Sequence, residues 1–133
     1  MNIIAHRKGD ITASIRDPEA VRMVLRRIFE AILGGGGFTV FHFHLRCLLG
    51  KNHLEAFYER PREFYEALEV FFRESGARVT FRVLYGKLIN LSGFEKLTSD
   101  SLFEILMRDE GVAREIIVEM LEEILKRGGG DVT

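Results

Sequence analysis

The stretch FTVFHFHLRCLL, Phe38 to Leu49, decides how this chain is read. Its first seven residues, FTVFHFH, have the β-branched and aromatic content of a strand. Its twelve-residue length, its unbroken continuation through LRCLL and the stop at Gly50 favour a helix instead. Wound as a helix, it carries Phe38, Phe41, Leu45, Leu48 and Leu49 on one side, and Val40, Phe43 and Cys47 extend the apolar surface around the rest. A helix apolar nearly all round is expected to be buried. The reading is therefore all-α: a compact bundle of about five to six helices around a buried central helix at 38–49.

The same ambiguity returns at Arg78 to Val83, RVTFRV, which alternates as a strand does. The longer pattern Ala77, Phe81, Leu84, Leu88 and Leu91 recurs at helical steps, so a helix to about Leu91 is expected. Two strands here would make the protein α/β.

Outward from the centre, the flanking segments are strongly one-sided. Asp17-Pro18-Glu19 is a helix start: a capping carboxylate, a proline that wastes no N–H, and an acid at the positive dipole end. Val21, Val24, Leu25, Ile28, Phe29, Ile32 and Leu33 follow at helical spacing, and the helix is expected to end at Gly34. Gly34 to Gly37 lacks the Gly-Lys-Ser/Thr ending of a phosphate-binding loop and reads as a tight connection. Asn52 can cap a short helix over His53 to Glu59, and Pro61 opens another that carries Phe64, Ala67, Leu68, Phe71 and Phe72 inward as far as Gly76. A cap at Ser99 or Asp100 starts a helix with Leu102, Phe103, Leu106 and Met107, interrupted at Gly111. The last helix runs from Val112 to Leu125. One domain over 1–133 is expected, with an arm or hairpin at 1–16, a helical core at 17–127 and a disordered tail at 128–133.

Eleven Phe and no Trp predict a Phe-dominated core. The single Cys, Cys47, excludes an intrachain disulfide and suits a reducing compartment. The N-terminus, MNIIAHRKGDITAS, has no apolar region long enough for a secretory signal, and the longest run without Asp, Glu, Lys or Arg, Ala31 to Leu45, contains four Gly and two His, so no membrane span is expected and the location is read as cytoplasmic. The absence of Gln and the excess of Glu over Asp, fifteen to five, are compatible with a thermophilic source.

A family resemblance rests on His44-Leu45, Gly50, Pro61-Arg62-Glu63-Phe64, Ala67-Leu68, Phe72 and Gly76-Ala77 followed by an apolar helix. From Ile32 to Leu91 the chain resembles a small archaeal all-helical family, the Nitrosopumilus-type output domain. The resemblance implies an all-α core and a signalling or regulatory setting, and it brings no catalytic residues. The segment Phe72-Arg73-Glu74-Ser75-Gly76 departs from the Phe-Gly-x-Gly turn more usual there.

Chemistry-bearing residues are few. His42, His44, Cys47 and His53 form the one conceivable metal cluster, but no second ligand pair stands at a structural-zinc spacing, and histidines of a core or interface are expected. Cys47 with His44 one turn earlier lacks the polar surroundings of a reactive thiolate. Neither cofactor nor catalytic residue is expected. The net charge of −1 divides into +4 over residues 1–51 and −5 over 52–133. A basic face comprising Arg22, Arg26 and Arg27, with Arg7, Lys8 and Arg46, could contact nucleic acid. The leading expectation is a non-enzymatic module working through protein contacts, as a homodimer or with another regulatory protein. Ile117, Leu121 and Ile124 are its expected dimer interface. A nucleic-acid-binding regulator using helix 18–33 is the alternative, and an enzyme or small-ligand carrier with a Phe-lined pocket comes last.

Overall fold

The structure, a computed structural model, describes residues 15–128. The expected arm at 1–16 and tail at 128–133 lie almost wholly outside that range. Among the described residues five helices pack on one another: α1 (Pro18–Leu49), α2 (Ala56–Glu59), α3 (Pro61–Ser92), α4 (Ser99–Arg108) and α5 (Glu110–Lys126). Among the described residues there is no strand, so both ambiguous stretches are helical and the all-α reading holds.

Each helix begins where local chemistry starts it. The Asp17 carboxylate accepts the Ala20 N–H at 3.1 Å with Pro18 at the first position. Thr98 and Ser101 form a reciprocal capping box at α4, one residue before the expected cap. Asp109 caps α5, so the chain breaks there and Gly111 falls inside the helix.

The helix at 38–49 is not the buried centre. Phe38, Phe41 and Leu45 are enclosed, but Val40, Phe43 and Leu48 are exposed, and so is Cys47. The hub is α3, which touches every other helix. It buries Phe64, Leu68, Phe81, Leu84, Tyr85 and Leu88. Its arginines on the outer faces hide that role from a hydropathy reading, whereas helix 38–49 is apolar on a side that none of the described residues covers.

Both long helices are bent by the same backbone geometry. Gly34 (φ 77°, ψ 165°) bends α1, and the helix resumes at once rather than ending. Arg73 (φ 65°, ψ 178°) bends α3 three residues before Gly76, where the end was expected. That region of backbone space suits glycine, so Arg73 is strained. Gly76 instead seats Phe72, whose Cβ lies 2.9 Å from where a Gly76 side chain would begin.

Phenylalanines fill the centre. Phe29 stacks on Phe64 at 5.9 Å, Phe64 on Phe81 at 6.1 Å, and Phe57 stands edge-on to Phe64 at 5.3 Å. Arg62 ties helix ends together. Its Nε donates to the Leu106 carbonyl at 2.9 Å and a terminal nitrogen donates to Met107 at 3.0 Å, while its backbone N–H donates to the Glu110 carboxylate at 3.2 Å. A cation thus meets the negative end of α4 and an anion the positive end of α3.

Candidate functional site

The bend at Gly34 sets the helical piece 35–49 against the first half of α3, joined through Phe41 and His44 on Phe71. Only one side of that piece faces the core. The outward side presents Val40 (52% exposed) and Phe43 (62%), Leu48 (47%) stands at its edge toward α3 with the exposed His44 one turn before it, and Val70 of α3 (71%) stands beside Leu48. The exposed Cys47 thiol completes an apolar strip with no charged residue within it.

Charge borders the strip on two sides. At helical spacing Arg46 projects toward the first half of α1, the side where His42 meets Arg26's electrostatic field. On the α3 side Glu63 and Glu66 lie next to Leu48 and Leu49. Glu63 pairs with Arg60 at 2.6 Å. Arg46 and Glu66 are exposed and make no ion pair among the described residues.

The histidines divide in a way their spacing did not reveal. His53 is buried, and its Nδ1–H donates to the Gly50 carbonyl at 3.1 Å, a partner that can only accept. Neutral His53 therefore offers Nε2 as an acceptor, and His42 donates to it from Nδ1 at 3.1 Å. Burial lowers the pKa of both; for His42, repulsion from His53, Arg26 and Arg46 adds to it. This clasp holds the loop after α1 onto the helix. His44 lies on Phe71 instead, and among the described residues no group of three or more His, Cys, Asp or Glu could hold a metal.

The basic residues are spread over different partners. Arg22 bonds to Glu19 at 3.2 Å and to the largely buried Glu55, a bond that raises the guanidinium pKa further. Arg26 approaches Glu30 at 3.7 Å and stands over the Phe38 ring at 5.5 Å. Arg27 is exposed, and Arg7 and Lys8 lie outside the described residues. Ile117, Leu121 and Ile124, the expected dimer interface, are enclosed within the chain's own core at 0%, 1% and 3% exposure. Their face closes the bundle against α3 and is not free to meet a partner.

Comparison with protein-family models, curated proteins and solved structures returned no match. Pro18–Leu49 is the one helix among the described residues long and apolar enough to cross a membrane by length and composition. The bend at Gly34 divides it into pieces each shorter than the about 20 residues a span takes. Among the described residues the central rings pack on one another and leave no Phe-lined cavity between them, while an apolar groove of about 500 Å³ lies against Phe94, Leu97 and Ile116. A groove of about 660 Å³ between α3 and α4 is bordered chiefly by charge, including Arg78, Arg82, Asp100 and Glu104.

Proposed function

We propose that this chain is a non-enzymatic all-α module that works through protein contacts, with the outer face of helix 35–49 as its contact surface. One observation carries the reading: Val40, Phe43, Cys47 and Leu48 of α1 and Val70 of α3 form an uncharged strip exposed to solvent. Soluble monomers seldom leave contiguous apolar area uncovered. Nothing in the core needs these side chains, since Phe38, Phe41 and Leu45 already fill the inner face. The resemblance to the Nitrosopumilus-type output domain supports a regulatory or signalling setting, and a lone exposed thiol at the centre of the strip fits a reducing cytoplasm.

Cys47 supplies the test, because it is the only thiol in the chain. In cells expressing the protein at native level, a permeable maleimide is expected to label Cys47 slowly, and Phe43→Glu is expected to restore the rapid labelling of the dilute purified protein. Equal labelling in cells and in dilute solution would overturn the reading.

A further inference from the structure

The contact face proposed above has an internal charge pattern that selects its occupant. The apolar strip runs along helix 35–49, with Arg46 on one flank and Glu66 of α3 on the other. Both charges stand near the C-terminal end of the helix, Glu66 beside Leu48 and Leu49 and Arg46 in the last turn. Neither makes an ion pair among the described residues, unlike Arg22, Arg26 and Arg82 of the same two helices.

Two copies can be laid strip on strip with two simple in-plane axes. A two-fold axis across the helix would set basic flank on basic flank and acidic on acidic. An axis along the helix brings the basic flank of one copy over the acidic flank of the other, at the same height, and does so twice. A symmetric pair uses one patch for both subunits, and complementary flanks fix its orientation. Resting on the contact-face reading, we infer that the partner is a second copy of this chain, docked with the two helices 35–49 parallel about that axis and with Arg46 of each copy paired with Glu66 of the other.

The test is a charge exchange followed by sedimentation and light scattering. The wild type is expected to dimerise in the micromolar range and Phe43→Glu to abolish the dimer. Arg46→Glu and Glu66→Arg should each weaken it about tenfold or more, and the double variant should return to within a few-fold of wild type, all four retaining helical circular dichroism. Four outcomes would each overturn the inference: a monomeric wild type at high micromolar concentration, a dimer untouched by Phe43→Glu, single exchanges without effect, or a double variant no tighter than the singles. If the purified chain is monomeric while Cys47 stays protected in cells, the contact face stands and its occupant is a different protein.

Discussion

Arg62 shows how much one side chain can do at a junction that no periodicity marks. It serves two terminal carbonyls of α4 with its guanidinium and lends its own N–H to Glu110, which opens α5. Arg62→Ala keeps the N–H to Glu110 but leaves the Leu106 and Met107 carbonyls to solvent, so a loss of about 1–3 kcal/mol is expected in chemical denaturation; Arg62→Lys, lacking the fork, should recover only part. Arg73 is the opposite case, a residue that costs stability where it stands. Its backbone conformation carries roughly 1–3 kcal/mol of strain for a residue with a Cβ, offset in part by the greater freedom glycine has when unfolded. Arg73→Gly should therefore stabilise the protein by about 1 kcal/mol, whereas Arg73→Ala, which keeps the Cβ, should not. Equal midpoints for the two variants would show that the bend is unstrained. The sequence named both residues, Arg62 as part of a motif and Arg73 as a departure from it, but a hydrogen bond to α4 or a left-handed φ is settled only once the helices are placed.

At the scale of the element, the His42–His53 clasp couples the end of α1 to the loop that follows. Both rings are neutral in the folded state and both pKa values lie below the ordinary histidine value near 6.5, so the unfolded chain binds protons more readily than the folded one. Their contribution to stability is complete above about pH 6.5 and is lost as pH falls from there through the lowered folded values. A thermal midpoint followed between pH 8 and 5 should drop in that window, and His53→Gln should flatten the drop; an unchanged profile would detach it from these histidines. Helix α5 carries the face expected to be a dimer interface. Its apolar face is as wide as the spacing predicts, but that face is the bundle's closing wall. Ile117→Glu with Leu121→Glu is expected to give an unfolded chain by circular dichroism, because two charges would enter a fully enclosed core. A folded double variant would return the face to the surface.

For the whole molecule, two of the three arginines of the expected basic face are engaged with other side chains of the chain. Arg22 from the basic half bonds to Glu55 from the acidic half, and Arg26 is occupied by Glu30 and Phe38. Contacting phosphates would mean giving up these partners. Affinity for duplex DNA is accordingly expected to be weak even at low salt, and neutralising Arg22, Arg26 and Arg27 should leave its salt slope unaltered. A steep slope that flattens in the triple variant would instead establish the nucleic-acid alternative.

The sequence by itself determined the elements. The 3.6-residue spacing of Val21 to Phe29, of Phe64 to Leu68 and of Ala77 to Leu88 sets helices, Asp17-Pro18 and Pro61 start two of them, and Gly93 ends α3 in the left-handed conformation only glycine adopts readily. These are local matters of backbone sterics and side-chain period, available from neighbours in the chain. Only the tertiary structure decided which apolar faces meet. Helix 38–49 and the closing wall of α5 are comparably apolar, yet the first is left half outside and the second is sealed within. Hydrophobicity is non-directional: it says that a face gains by leaving water, and the packing of α3 against every other helix determines which faces find room to do so.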